Sequence, residues 1–466
     1  MISSRPEAPG AGAYGWFVVI ALTVVNLVAS IDRFMMGIVV VPLKGALGLS
    51  DAQLGLVYGL GFAILYCVAG IPFGWLSGSI NRRRAILLGC MLWTIATALC
   101  ALAQTFSQLF AMRIAVGLGE AVLVPSAIAL INAYVPGRQL GVANGLFFCG
   151  SSVGKAVAFI GGGAILAGLA AGGGFSFLGR HFDPWQALFL FAALPGLIAL
   201  GLMAVVREPA RRLGAKLPSF PDLKAHALRQ RWSYGFIVFG SCALHLSALA
   251  LAAWAPSFYV RHFGLDIAPA ATMVGIIGIS AGIIGAIGGG ILADWLSKLG
   301  IRGAPVLVAG SALIIAAPAA LLAFLFAPGL AWSAFGYAVL QLMVLIGGPQ
   351  TFAAIQHVTP RAHRGFTSSI LLAVVSLVAM GAGPLIIGLL SDRAFAAGSN
   401  PLGYALAISI AVQCIVGAVA LIAIRPAFQR TADEVAERDD RDAAADQTAT
   451  RSASSQDAGR LAIEPS

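Results

Sequence analysis

Charge is scarce in this chain. Of 466 residues, 29 are Lys or Arg and 19 are Asp or Glu, so only 10% are charged, while 59% are hydrophobic. Soluble domains carry about 25% charged residues. The composition therefore excludes an ordinary water-soluble enzyme, a nucleic-acid-binding protein and a disordered chain. Cysteine is scarce as well. The six, at positions 67, 90, 100, 149, 242 and 414, lie inside apolar runs with no CxxC and no neighbouring His cluster. That pattern speaks for small buried hydrophobes and against a metal site or a disulfide framework. There is no H-E-x-x-H and no Ser/His pair, which argues against an intramembrane enzyme. No strand precedes the glycine-rich stretches, so a phosphate-cradling loop is excluded. No enzyme activity, metal or organic cofactor is expected.

What the chain has instead is long apolar runs. Mean hydropathy is +0.90. Twelve runs, each close to the roughly 20 residues a membrane span needs, can be marked between residues 15 and 425. Alternating strand-like segments for a closed barrel are absent. The expected fold is all-α, with twelve transmembrane helices in two pseudo-symmetric six-helix bundles, 15–206 and 234–425. A short cytoplasmic N-terminus, 1–14, precedes them. The longest polar break in the body, a basic linker over 207–233, separates the bundles. Met1 to Ala13 is polar, and the run after it is too long for the apolar core of a signal peptide.

The distribution of charge orients the chain. Nine acidic residues fall between Pro426 and Ser466 against five Arg, so this tail is net −4 and the body before it net +14. The tail, rich in Ala, Asp and Arg, reads as disordered and cytoplasmic. With the N-terminus inside, the inner loops hold 15 Lys or Arg and the outer loops four (Lys44, Arg180, Arg261 and Arg393). The positive-inside rule then places both termini in the cytoplasm, in the cell's inner (plasma) membrane. Anionic lipid is the expected partner of the basic loops, not nucleic acid.

The two halves echo each other. Gly74-Trp75-Leu76-Ser77-Gly78-Ser79 before Arg82-Arg83-Arg84 is matched by Gly290-Ile291-Leu292-Ala293-Asp294-Trp295 before Lys298 and Arg302. Val135-Pro136-Gly137-Arg138 is matched by Thr359-Pro360-Arg361. Repeats of this kind belong to transporters that rock two bundles about a midplane site. The ordered set of segments resembles the major facilitator superfamily, and within it the spinster-like branch. It comprises Asp32-Arg33, Leu49 to Gly55, Gly117-Leu118-Gly119-Glu120-Ala121 with Pro125, Arg207-Glu208-Pro209, Trp254-Ala255-Pro256, and Gly383-Pro384 through Ser391-Asp392. The Asp-Arg and Arg-to-Glu patterns are also similar to the organic anion:cation symporters. The resemblance implies alternating access and a monomer. It also implies a substrate among lysolipids, drugs, sugar acids or other carboxylates. It further implies a cytoplasmic gate built on Gly74, Arg82, Arg83, Asp294, Lys298 and Arg302. Gly78 stands where that motif carries an acid, which predicts a looser inner gate.

Five ionisable residues besides His lie well inside spans: Asp32, Arg33, Arg113, Glu120 and Lys155. Such groups face a cavity or one another. At about 1.5 Å per residue, Asp32 lies between Arg113 and Glu120 in depth, and those two, seven apart, share one helix face. The functional reading is a proton-coupling cluster of Asp32, Glu120 and Arg113. Protonating Asp32 would release Arg113 for Glu120 or for an anionic substrate. The alternative is a permanent buried pair that fixes helix packing. Arg33, about 100° round the helix from Asp32, either joins the site or instead snorkels or packs. Lys155, near midplane, is a counter-charge for a carboxylate or phosphate, a lysine neutralised by burial, or the structural partner of Glu120. The second half carries no such acid. It offers His245, Gln341 and Gln350, either as cavity lining or as hydrogen-bonded packing. The leading function is a secondary transporter, coupled to protons, of a small or amphipathic organic anion. The competing ones are a spinster-type lysolipid or drug exporter and a non-transporting membrane sensor.

Overall fold

The computed structural model describes residues 12–76, 80–136, 139–177, 179–209, 220–439 and 441. Among them, twelve helical stretches are long and apolar enough to cross a bilayer. Spans 1 to 6 are Ala13–Leu47, Asp51–Gly70, Arg82–Cys100, Phe106–Tyr134, Leu140–Ala171 and Pro184–Val205. Spans 7 to 12 are Arg231–Phe263, Ile267–Lys298, Ala304–Phe326, Leu330–His357, Ile370–Ala394 and Pro401–Ala423. The chain is a multi-pass membrane protein. Odd-numbered spans start on the face that carries Arg82 to Arg84, called here the basic face; the opposite one is the distal face.

Local signals set the helix ends. Ser50 and Gln53 form a capping box at the start of span 2, and Thr105 caps span 4. Asp183 with Pro184 starts span 6. These groups satisfy backbone donors that a helix start leaves open. Gly48 and Gly264 end spans 1 and 7 at φ +61° and +66°, where a residue with a Cβ is strained. Apolar side chains such as Ile283, Ile287 and Ile291 on span 8 and Val412, Val416 and Val419 on span 12 stand exposed. Such a surface suits hydrocarbon rather than water.

Glycine sets how closely spans 1 and 5 approach. A Cβ on Gly150 would lie 2.5 Å from the Thr23 carbonyl oxygen, and Gly154 meets the Leu27 carbonyl in the same way. Only a missing side chain allows this contact. The two sets of six spans meet through spans 1 and 7, 5 and 8, and 2 and 11. Those contacts cluster toward the distal face. Gly37 of span 1 lies against the Ala252 carbonyl, Gly163 of span 5 against Ala271, and Gly275 of span 8 against Ile160. Toward the basic face, added carbons at Gly141, Gly145, Gly282, Gly288 and Gly290 would meet nothing within 4 Å. The bundles are held together distally, while these positions stand in open space.

Three departures from the sequence reading have local causes. A two-stranded hairpin, Phe175–Phe177 with Arg180–Phe182, joins spans 5 and 6, Phe175 facing Phe182. The 207–233 linker contains a helix, Phe220–Arg229, and span 7 begins within it at Arg231. The tail is not disordered from Pro426: residues 425–439 are helical. Phe428 and Val435, seven apart on one face, are buried. Polar contacts hold the other faces: Ser233 Oγ to Thr431 Oγ1 at 3.1 Å, Gln230 Nε2 donating to Glu434 at 2.9 Å, and Arg364 Nη2 donating to Asp439 at 2.8 Å. The average composition of the tail hid an amphipathic first third. The remaining tail residues lie outside the described ones.

Candidate functional site

Span 1 presents two adjacent residues to two different partners. Asp32, 2% exposed, accepts from Arg113 Nη1 at 3.2 Å through one carboxylate oxygen and from Thr97 Oγ1 at 2.8 Å through the other. Arg33 Nη2 donates to Glu120 Oε2. Arg113 is fully buried and Glu120 1% exposed. The result is two ion pairs, Asp32–Arg113 and Arg33–Glu120, tied together by one peptide bond.

The sequence expectation of Asp32 beside Arg113 is met. The expected exchange partner for Glu120 is not Arg113 here but Arg33, which neither snorkels nor merely packs. Asp32 and Arg33 do point apart, yet the longer Arg side chain covers the distance to span 4. Sequence reading missed what lies between the pairs. The Phe62 ring centroid is 4.8 Å from the Arg33 guanidinium carbon and 5.7 Å from that of Arg113, and Tyr66 is 5.1 Å from Arg33. Aromatic faces attract such cations in a desolvated setting. No spacing rule marks Phe62 or Thr97 out from the many apolar and hydroxyl residues of spans 2 and 3.

Capacity for further bonding remains at the cluster. Arg113 Nε and Nη2, Arg33 Nε, Glu120 Oε1 and the Tyr58 hydroxyl are buried without a hydrogen-bond partner. These are donors and acceptors that a rearranged pairing, a proton or an anion can use. Thr97 serves only Asp32 through its hydroxyl. A Thr97→Val variant is expected to lose about 1.5–3 kcal/mol, the worth of a hydrogen bond to a charged group. Denaturation of the reconstituted protein checks this; a loss under about 0.5 kcal/mol would show the bond to be idle.

Lys155 does not pair with Glu120. Among the described residues no carboxylate reaches it; its Nζ lies 5.5 Å from the Phe34 ring centroid. It faces a pocket between spans 5, 8 and 10, lined by Ser152, Lys155, Phe159, Gly282, Ile279 and Leu345 among others. The pocket lining includes none of His245, Gln341 and Gln350. His245 Nδ1 donates to the Ser241 carbonyl at 2.8 Å, and its ring meets Phe352 edge-on. Gln341 is fully buried with both ends of its amide unpaired, and Gln350 is buried on the same span.

On the basic face the expected gate residues are spread out. Asp294 and Lys298 are exposed, and among the described residues neither reaches the first bundle. Arg302 contacts Asp433 at 3.3 Å. Arg83 folds onto the end of span 6, donating to the Ala204 carbonyl at 2.6 Å and, through its backbone N–H, to Glu208 at 2.9 Å. Arg82 reaches the Ala129 carbonyl. Gly74 lies on the helix Gly61–Leu76, which continues beyond span 2, and Gly78 falls outside the described residues.

The distal face carries the lock that sequence reading did not single out. Asp51, 2% exposed, accepts from Arg261 of span 7 at 2.8 and 3.0 Å, from Lys44 at 2.7 Å and from Ser391 of span 11 at 2.9 Å. Asp392 in turn accepts from the backbone N–H groups of Asp51 and Ala52 at 3.1 and 2.6 Å, at a helix start that favours an anion. Among the described residues, the hydrogen bonds and ion pairs between the bundles all converge here. Lys44 and Arg261 had counted only as outer-loop bases, so their partner was invisible.

Comparison with known proteins agrees with this architecture. Residues 22–384 match the model of the Major Facilitator Superfamily. An MFS-type efflux pump of Mycolicibacterium smegmatis is 26% identical over 413 residues, covering 87% of this chain and 91% of the pump. A probable L-galactonate transporter of Escherichia coli is 24% identical over 287 residues, 58% of this chain and 60% of that protein. A solved bacterial homologue of the human lysosomal transporter Spinster, in an inward-facing and occupied conformation, aligns with a TM-score of 0.75. Its identity is 26%, covering 92% of this chain and 99% of that one.

Proposed function

From the premise that the chain belongs to the Major Facilitator Superfamily, we propose that it is a proton-coupled transporter of a small or amphipathic organic anion. The basic face is the cytoplasmic one, in the cell's inner membrane, and the structure is then inward-facing. The observation that carries the reading is the double ion pair on span 1. With both carboxylates ionised, the Asp32, Arg33, Arg113 and Glu120 cluster is neutral. Each proton taken up leaves one guanidinium without its counter-ion. The other carboxylate, or the field of an anionic substrate bound elsewhere between the bundles, offsets that guanidinium, which links proton occupancy to substrate occupancy and to helix position. The second half lacks an equivalent acid, so proton handling belongs to the first bundle. The likeness to a galactonate transporter supports an anion as the cargo. The likeness to an efflux pump supports export as the second reading; both use the same cluster.

The test is flux in proteoliposomes under an imposed pH gradient, with galactonate, an aromatic carboxylate and a lysolipid as radiolabelled probes. Gradient-driven accumulation of an anion is expected. An Asp32→Asn variant is expected to lose accumulation while retaining exchange of labelled for unlabelled substrate. Accumulation that ignores the gradient, or persists in Asp32→Asn, rejects the coupling.

A further inference from the structure

Five charges lie well inside the spans, away from their ends, and four of them are paired one to one. Lys155 is the fifth, with no carboxylate partner among the described residues. A cation at this depth without a counter-ion is costly unless a ligand or a cavity accommodates it. Its surroundings are specific. Phe34 faces its ammonium. A Cβ added to Gly278 would meet only Lys155 Cε, at 4.0 Å, and one added to Gly282 would meet nothing within 4 Å. Span 8 thus turns bare backbone toward Lys155 and leaves a slot. The slot has walls from both bundles: Ser152, Lys155 and Phe159 on span 5, Ile279 and Gly282 on span 8, and Leu345 on span 10.

We infer that this slot is the substrate-anion site, with Lys155 as the anchoring cation. The class it selects is a single-charged anion with an apolar body, such as an alkyl- or arylcarboxylate or sulfonate. The inference rests on the anion-transport reading above and narrows it. The anion oxygens take the Lys155 ammonium and the Ser152 hydroxyl. Phe159, Ile279 and Leu345 cover the apolar remainder. A polyhydroxylated acid is disfavoured. Its hydroxyls would leave water for walls that offer one hydroxyl besides the lysine, and an unpaired buried hydroxyl is costly. Specificity of this kind comes from groups left unpaired as much as from contacts made. Because one wall is span 5 and the other span 8, the ligand bridges the two bundles. Lys155 therefore joins substrate occupancy to bundle position without itself handling protons.

Calorimetric titration of the full chain in nanodiscs tests the assignment, with 4-butylbenzoate, its uncharged amide and gluconate as probes. The wild type is expected to bind 4-butylbenzoate at least about tenfold more tightly than either of the others, a difference such titration resolves. Lys155→Met is expected to weaken 4-butylbenzoate by at least about thirty-fold, as truncating one side of a desolvated charge pair does. Lys155→Arg keeps the charge and retains binding. Gly282→Leu fills the slot, leaves the charge untouched and abolishes binding, so it carries the test if Lys155→Met fails to fold. Equal affinity for gluconate, binding of the amide, or undiminished binding in Lys155→Met or Gly282→Leu overturns the assignment. Gradient-driven flux of galactonate with no binding of 4-butylbenzoate overturns this inference and leaves the coupling reading standing. Binding as expected with gradient-independent flux does the reverse.

Discussion

Arg113→Met is expected to be the most destabilising single substitution in the membrane core. It leaves Asp32, 2% exposed, with only the Thr97 hydroxyl for company. Removing one partner of a buried ion pair costs about 3–5 kcal/mol, because the charge left behind has lost both its solvent and its counter-ion. The double variant Asp32→Asn/Arg113→Met is expected to recover most of that loss, since nothing charged remains unpaired. Transport does not recover with it. Denaturation of the reconstituted proteins, combined with flux, separates the two outcomes. A single variant as stable as the wild type would mean that Asp32 is already neutral and that the pair is not the electrostatic unit described here. Arg33→Met is expected to cost less. Its side chain is 18% exposed against none for Arg113, so truncating it lets water reach the Glu120 carboxylate, which is itself fully buried.

Gly55→Ala is expected to shift the whole molecule from one state to another. The added carbon would lie 2.6 Å from the Pro384 carbonyl oxygen and 2.9 Å from Leu385 Cα. That carbonyl cannot step aside freely, because Trp254 Nε1 donates to it at 2.9 Å. The close approach of spans 2 and 11 lies in the seam that holds the distal face together. Overpacking there costs about 1–3 kcal/mol, which corresponds to roughly a 5- to 150-fold change in the ratio of the two states. Spin labels at Val142 and Leu292, both exposed toward the basic face, report the outcome. Their separation is expected to shorten as the basic face closes. Gly45→Ala, where an added carbon meets nothing within 4 Å, is the control. An unchanged distance distribution in Gly55→Ala would show that the seam has slack.

Much of the fold was legible because the membrane imposes a coarse rule. A span must be long and apolar, and twelve runs met that rule without reference to packing. The charged residues of the site were legible for a related reason: Asp32, Arg33, Arg113, Glu120 and Lys155 stand out against apolar neighbours. Their pairing was not legible. Arg33 reaches Glu120 because of side-chain length, which an angular argument from helix geometry omits. Asp51 and Arg261 sit at span ends, where charge is ordinary, so nothing marked them as partners across the bundles. The helix over 425–439 escaped because composition taken over the whole tail averages away the spacing of Phe428 and Val435. His245 was legible as a packed residue, whereas the slot opposite Lys155 depends on glycines whose significance is the absence of a neighbour.

The distal lock has a mechanical meaning. Span 7 is a helix of 33 residues, about 50 Å long at about 1.5 Å per residue. Arg261 holds Asp51 at one end of it. A stiff rod of that length ties its two ends together. A tilt of about 10° about its middle moves each end by roughly 4 Å in opposite directions. Breaking the contacts at Asp51 and narrowing the basic mouth are thus one motion, and the width of that mouth is set by charges that the cargo need never touch.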